Sequence, residues 1–451
     1  MAPPAQGVPW DPSSTEALER EPAEGELLLL DRFALVVTDG PDRGALAMSP
    51  GARMTIGTDT TCDFRLTDRA MSRFHCEIEL EPDGIAIRDM GSTNGTRVDG
   101  VRVKSAYLRR GARLELGRNQ IGFEVTAEQI GVDLFAGDRW GSVRGRSPAM
   151  RAVFARLARA ADSDITVLVT GETGTGKDLV AESIHQESKR RGAPFVVVDC
   201  AGLPRGVLES ELFGHARGAF TGAARDRVGA IEAASGGTLF IDEIGELPLD
   251  LQPVLLRALE RREVTRIGET KSRAVDVRVV AATHRDLRRE VNAGRFRSDL
   301  YYRLAVLTVE LPPLRARRDD LPLLVDELIA QVAGDDVDAA ERLRRRVSVD
   351  DLTRHDWPGN VRELRNHIET AAVVERPTPG GDGAAQWFGM PAPGASQPMR
   401  VAREHWVRWF ERQYIEDLMK RHGDSVAAAA RAAEVDRAYI YRLLHRFGGR
   451  R

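Results

Sequence analysis

The spacing of hydrophobic and polar positions changes character several times along the chain. From about Asp31 to Glu128 the period is two: Cys76, Ile78 and Leu80 alternate with Glu77, Glu79 and Glu81, Pro82-Asp83-Gly84 turns the chain, and Ile85-Ala86-Ile87 runs back. Leu114-Glu115-Leu116 and Ile121-Gly122-Phe123-Glu124-Val125 repeat the alternation, which predicts an all-β sandwich over 31–128. A linker over 129–142 follows. Short apolar runs, Ile165–Val169, Phe195–Val198, Thr238–Ile241 and Val277–Ala281, then alternate with helical stretches, the pattern of a parallel sheet with crossover helices over 143–318. From Asp319 to about Glu375 strand signals vanish and helical periodicity predicts a small α-helical lid, 319–375. A Pro/Gly-rich stretch, 376–399, reads as a linker, and residues 400–451 read as helical. Residues 1–30 read as a flexible leader, because Pro3, Pro4, Pro9, Pro12 and Pro22 stand among small polar residues that bury too little to offset ordering entropy.

Composition narrows the class without naming it. The chain has 451 residues, too many for one compact core, and its 42% hydrophobic and 29% charged content is that of soluble domains. The apolar run Leu27 to Leu30 falls far short of the ~20 residues of a membrane span, and no basic segment precedes it as in a signal peptide. Cys62, Cys76 and Cys200 are odd in number and lack CxxC spacing, which speaks against a disulfide framework or structural zinc and for a reducing cytoplasm. The net charge of −3 hides an uneven distribution: from Arg400 to Arg451 there are 12 Lys+Arg against 7 Asp+Glu, making that tail a nucleic-acid candidate. Of 65 basic residues only five are lysine, so Lys177 in the glycine-rich segment below looks chemically specified.

The run Ile165–Val169 leads into Gly171-Glu172-Thr173-Gly174-Thr175-Gly176-Lys177-Asp178 and then a helical segment, Leu179 to His185. That is the strand, loop and helix order of a P-loop. Glycines let backbone N–H groups converge on phosphates, the helix N-terminus adds a favourable dipole, and Lys177 brings a point charge to the β/γ oxygens of ATP. Asp178 stands where Ser or Thr usually reaches Mg²⁺, so an acidic side chain acting through water is the expected substitute. Thr238-Leu239-Phe240-Ile241-Asp242-Glu243 is an apolar strand ending in two carboxylates, with Asp242 suited to hold Mg²⁺ and Glu243 to orient or deprotonate the attacking water. Alone, such a pair is as often an ordinary exposed one.

Glu209-Ser210-Glu211-Leu212-Phe213-Gly214-His215, leading into Gly218-Ala219-Phe220-Thr221-Gly222-Ala223, resembles the signature loop of the sigma-54-dependent transcription activators, a family of AAA+ ATPases. The resemblance extends over about Val143 to Val374. It implies that Gly218, Ala219, Phe220, Thr221, Gly222 and Ala223 contact sigma-54, and that Arg297 and Arg303, in the Gly294–Leu304 segment, reach the γ-phosphate of a neighbouring subunit. It further implies that Thr283 is the sensor residue after the Val277–Ala282 strand and that Arg362, in Trp357–Leu364, senses nucleotide from the lid. Family members usually carry Asn before Cys200-Ala201 to restrain the Walker-B glutamate. Here Asp199 stands there, and an ionised Asp cannot donate a bond to Glu243.

The flanks carry two further resemblances. Ser425–Ala433 predicts an alanine-rich helix, and Asp436 can cap a second one in which Ile440, Leu443, Leu444 and Phe447 share one face. This is similar to the Fis-type helix-turn-helix of the same family, and it implies DNA contacts by Arg437, Ala438, Tyr441 and Arg442. In the β domain, Ile56-Gly57, Ser72-Arg73-Phe74-His75 and Gly91-Ser92-Thr93-Asn94-Gly95-Thr96 resemble a forkhead-associated (FHA) domain over about Phe33 to Val125. That implies phosphothreonine recognition by Ser72, Arg73, Thr93 and Asn94. Thr58 occupies the place of the family's usual arginine, and His75 reads as a structural residue.

The expected whole is an FHA-like sandwich, a P-loop α/β domain with a helical lid, and a helix-turn-helix. The resemblance implies a ring, a hexamer or similar, with ATP and Mg²⁺ as cofactors and sigma-54 RNA polymerase, upstream enhancer DNA and a phosphothreonine protein as partners. A phosphothreonine-binding adaptor with a vestigial ATPase is the alternative, against which stand the intact carboxylate pair and both finger arginines. A plain DNA-binding repressor would leave the loop and lid motifs unexplained.

Overall fold

The computed structural model describes residues 27–81, 84–221 and 223–373, and beyond these positions 411, 414–415, 418–419, 425–433, 435, 440 and 444. The chain divides into two compact units, 1–379 and 380–451. In the first, alternation does what the pattern predicts. Two sheets, an antiparallel one of six strands and one of five that is antiparallel but for the parallel pair Arg53–Gly57 and Phe64–Arg65, face each other across a core of Phe33, Leu35, Ile56, Ile78, Leu114 and Phe123, all fully buried. The hairpin Cys76–Glu81 to Gly84–Asp89 is in register from Cys76↔Asp89 to Glu81↔Gly84.

The sandwich reaches beyond 31–128. The strand Leu27–Asp39 pairs along its length with Asn119–Asp133, from Leu27↔Asp133 to Asp39↔Gln120. Neither end announces itself in the sequence, because each strand end needs the other, about a hundred residues away, to satisfy its backbone groups.

A five-stranded all-parallel sheet follows, ordered Phe195–Asp199, Thr238–Asp242, Arg278–Thr283, Val167–Thr170 and Leu307–Glu310. The first four match the predicted runs. The fifth, Leu-Thr-Val-Glu, has too few residues to show a period. Helix Pro148–Ala161 starts on Ser147, whose hydroxyl accepts from the Met150 N–H, with proline in the first turn. At its other end, the fully buried Arg278 guanidinium donates to the carbonyls of Ala160 (2.8 Å) and Ala161 (3.1 Å).

The lid packs Leu321–Ala333, Val337–Arg346 and Asn360–Val373 around Trp357, which is fully buried and donates its indole N–H to the Leu352 carbonyl at 2.9 Å. Asp320 joins the lid to the start of helix Pro148–Ala161: fully buried, it accepts from the N–H groups of Arg146 (2.6 Å) and Ser147 (2.7 Å) and from the Ser147 hydroxyl (3.0 Å).

In the second unit, helix Val426–Ala432 lies where an alanine-rich helix is predicted, and Ala429, Ala430, Ile415, Leu418 and Ile440 form a small buried cluster. Arg437, Ala438, Tyr441 and Arg442 lie outside the described residues. The three cysteines are free and buried, and no helix among the described residues is long and apolar enough to cross a membrane.

Candidate functional site: the nucleotide cleft and its outlying loops

The strand Val167–Thr170 ends in a loop with Gly171, Gly174 and Gly176 all at positive φ, which only glycine adopts freely. At Gly174 (φ +80°) the requirement is double, since a Cβ would lie 2.3 Å from the Gly359 carbonyl oxygen of the lid. Helix Lys177–Gln186 begins at the lysine itself, which is 6% exposed. The Lys177 ammonium donates to the carbonyls of Gly171 (3.2 Å) and Glu172 (3.3 Å) and stands 3.7 Å from Glu243 Oε1. It is therefore held at the loop mouth by weak, replaceable partners.

The buried strand Thr238–Asp242 delivers the two carboxylates. Glu243 sits at φ +48°, a left-handed conformation that costs a non-glycine residue energy and tends to mark functional positions. Its Oε2 accepts from the His284 N–H at 3.1 Å, lies 2.7 Å from His284 Nδ1 and takes a long contact of 3.5 Å from the Thr283 hydroxyl. Asp199 accepts from the Ala201 N–H at 2.7 Å, and it is His284 that bonds Glu243. Asp242 has its pKa pushed up to about 6, first by burial and then by the charges of Asp178, Glu243 and Asp199, against a lowering bond from the Glu243 N–H. A carboxylate whose pKa is raised by neighbouring carboxylates suits a hard divalent cation such as Mg²⁺. No three acidic, His or Cys side chains among the described residues are gathered to enclose a metal, so an ion on Asp242 and Asp178 would complete its shell with water and phosphate oxygens.

The lid closes over the loop through groups that sequence reading passed over. Arg315 makes a two-pronged ion pair with Glu172 (2.8 and 2.6 Å), Asn360 Nδ2 donates to Glu172 and to the Thr173 carbonyl (both 3.1 Å), and buried Arg317 donates to the Thr175 carbonyl at 2.9 Å. Burial lowers the Arg317 pKa to about 10. The N–H groups of Val361 (2.9 Å) and Arg362 (3.3 Å) donate to the Gly174 carbonyl, which places Arg362, its side chain exposed, at the cleft edge.

Away from the cleft, Gly214–His215 and Arg227–Val228 pair as the base of a protruding loop. Phe220, at its tip, is 46% exposed and touches the rest of the protein through an edge-on contact with the His215 ring at 4.9 Å. Ala219 packs against Gly268, where a Cβ would stand 2.7 Å from its methyl. Gly218 and Ala223 close the loop, the Gly218 N–H donating to the Ala223 carbonyl at 2.9 Å, Thr221 is exposed, and Gly222 lies outside the described residues.

In the sandwich, the Ser72 hydroxyl accepts from the Thr93 N–H at 2.9 Å and lies 3.3 Å from its hydroxyl, while Asn94 Nδ2 donates to the Ala70 carbonyl at 2.7 Å. Fully buried His75 ties these loops together: Nδ1 accepts from the Ser72 N–H (3.2 Å) and Nε2 faces the Gly95 carbonyl (3.2 Å), an arrangement for the neutral ring. Burial accordingly lowers its pKa. The Arg73 side chain is exposed and makes no hydrogen bond or ion pair among the described residues.

Residues 143–310 match the model of the sigma-54 interaction domain, residues 315–379 that of the AAA+ ATPase lid domain, and residues 54–117 that of the FHA domain. The chain carries a sigma-54 interaction domain. It is similar to the anaerobic nitric oxide reductase transcription regulator NorR of Salmonella agona (strain SL483), 46% identical over 325 residues, which are 67% of this chain and 62% of that protein. The chain thus spans less than two thirds of the length of that relative. Among solved structures it is similar to NtrX from Brucella abortus in complex with ATP (34% identity, 69% of this chain and 70% of that one, TM-score 0.49) and in complex with ADP (32%, 68% and 69%, 0.49).

Within the sigma-54 interaction domain, the two finger candidates sit on one element, away from the P-loop. Arg297 precedes helix Ser298–Leu304, its N–H donating to Gln252 Oε1 at 2.8 Å and its guanidinium paired with Asp299 at 3.0 and 2.6 Å. Arg303 donates to the Leu259 carbonyl at 2.8 Å. Neither hydrogen-bonds to the P-loop of its own chain, whereas Lys177, Asp242, Glu243 and Thr283 converge on one cleft. The residues to which sequence reading gave no role, His284, Arg315, Arg317 and Asn360, offered as signals a histidine beside Thr283, an arginine-rich run after Pro312-Pro313 and, for Asn360, its place in the Trp357–Leu364 motif.

Proposed function

We propose that this protein is a sigma-54-dependent transcription activator in which ATP hydrolysis by a ring of subunits remodels sigma-54 RNA polymerase to open a promoter. The observation that carries the reading is the division of labour inside residues 143–310. Lys177, Asp242, Glu243 and Thr283, the candidates for hydrolysis, share one cleft, and a glycine-bounded loop with an exposed Phe220 makes none of the hydrogen bonds of that cleft. Bound nucleotide would draw Lys177 from its carbonyl partners to the β/γ oxygens, and Mg²⁺ would neutralise the Asp242 and Asp178 charges. Glu243, steered by His284, would take a proton from water.

A finger that does not serve its own chain has work only in a neighbour, so Arg297 and Arg303 argue for a ring. The basic tail, with Arg437, Ala438, Tyr441 and Arg442, would hold enhancer DNA, and Ser72, Arg73, Thr93 and Asn94 would hold a phosphothreonine. The test is reconstituted transcription from a sigma-54 promoter with hydrolysable and with non-hydrolysable ATP. Open complexes that form equally in both would overturn the reading.

A further inference from the structure

The FHA domain is docked on helix Leu287–Asn292 and on the following helix, Ser298–Leu304, the one next to Arg297. Asn292, at the end of helix Leu287–Asn292, donates to the carbonyls of Phe74 (2.5 Å) and Met90 (2.9 Å), and Arg289 donates to the Asp89 carbonyl at 2.9 Å. Arg288 pairs with buried Glu77 at 2.5 Å, and the Phe74 ring meets Tyr301 edge-on at 5.4 Å. Phe74 and Met90 are buried in the same cluster as Leu300 and Leu304 of the finger helix.

These contacts leave the phosphothreonine candidates open and bring them opposite the finger. A cavity of about 590 Å³ is lined on the FHA side by Thr58, Ser72, Arg73 and Thr93 and on the other by Asn292, Gly294 and the segment Phe296–Asp299. Its lining holds two cations, Arg73 and Arg297, against one carboxylate, Asp299, together with the hydroxyls of Ser72, Thr93, Thr58 and Ser298. The Arg297 guanidinium is presently satisfied by Asp299, an exposed ion pair of the kind that contributes little and exchanges easily.

We infer that this cleft is a composite phosphate site, in which a phosphothreonine held by Ser72 and Thr93 takes Arg297 of the sigma-54 interaction domain as the cation that Thr58 does not supply. The inference rests on the FHA reading above and goes beyond it by assigning the second domain's ligand. A phosphate carrying a charge of about −1.5 to −2 competes with Asp299 for a guanidinium whose planar fork matches it. The consequence is regulatory: one guanidinium cannot serve a phosphopeptide in its own chain and a γ-phosphate in its neighbour, so phosphopeptide binding lowers ATPase activity.

The experiment uses the full-length protein and a degenerate library of short phosphothreonine peptides, with the unphosphorylated library as control, read by calorimetry and by ATPase rate. Wild-type protein binds the phosphorylated library and loses ATPase activity on binding; Ser72→Ala abolishes both effects. Arg297→Ala weakens binding roughly tenfold or more, the size of a lost charge-assisted bond. Thr58→Arg combined with Arg297→Ala restores it, which a merely misfolded Arg297 variant could not do. Binding lost with Ser72→Ala but unchanged with Arg297→Ala overturns the composite site while leaving the FHA reading intact. No preference for the phosphorylated library in the wild type overturns both.

Discussion

At the scale of single residues, the site depends on groups held by replaceable partners and on groups that have none to spare. Lys177 belongs to the first kind, and Lys177→Ala removes the ammonium that the Gly171 and Glu172 carbonyls hold at the loop mouth; nucleotide affinity is expected to fall at least tenfold, measured by titration with a fluorescent ATP analogue. Glu243→Gln keeps the bond from the His284 N–H but loses the base, so it should bind nucleotide and fail to hydrolyse it. Buried His75 belongs to the second kind. Its pKa is depressed in the folded state, so the unfolded chain takes up a proton first as the solution is acidified. The stability this ring confers on the FHA loops is present above the ordinary histidine pKa and is lost as pH falls through 6.5 toward the depressed value. Hydrogen exchange of the Ser72 to Cys76 amides, corrected for intrinsic rates, should show falling protection over that range, and unchanged protection would rule out the neutral-ring linkage.

At the scale of elements, glycines and one buried carboxylate decide how pieces meet. Gly174→Ala places a methyl against the Gly359 carbonyl in a left-handed conformation and should separate lid from P-loop, with loss of nucleotide binding. Asp320→Ala leaves two N–H groups and a hydroxyl without an acceptor in the core, costing about 3 kcal/mol, visible as faster exchange at the start of helix Pro148–Ala161. The loop that bears Phe220 makes none of the hydrogen bonds of the cleft. Thr221→Ala should retain most ATPase activity and lose promoter opening, and opening at the wild-type rate would show that the loop has another use.

At the scale of the whole molecule, the proposed role of Arg297 and Arg303 in a neighbouring subunit would make ATPase activity a property of the assembly, so specific activity should rise with protein concentration; a constant value down to monomeric dilutions would sink the ring. Much of this was legible in the residues themselves. Local period announced the sandwich, the parallel strands and the lid, because a half-buried strand and an amphipathic helix each write their own spacing. The P-loop and the Asp242-Glu243 pair were readable because phosphate and metal chemistry demands particular residue types at fixed spacing along one strand, loop or helix end. Other features had no such signature: the extension of the sandwich to Leu27 and Asp133, the strand Leu307–Glu310, the seating of Glu243 by His284, and the clamp of Arg315 and Asn360 on Glu172. Each joins groups that only the closed chain brings within bonding distance. The meeting of Ser72 and Arg297 across one cavity is the extreme case. Sequence determined which motifs each domain carries, because each is written in contiguous residues, and tertiary packing alone decided that Ser72 and Thr93 of one domain and Arg297 of the other line a single cavity.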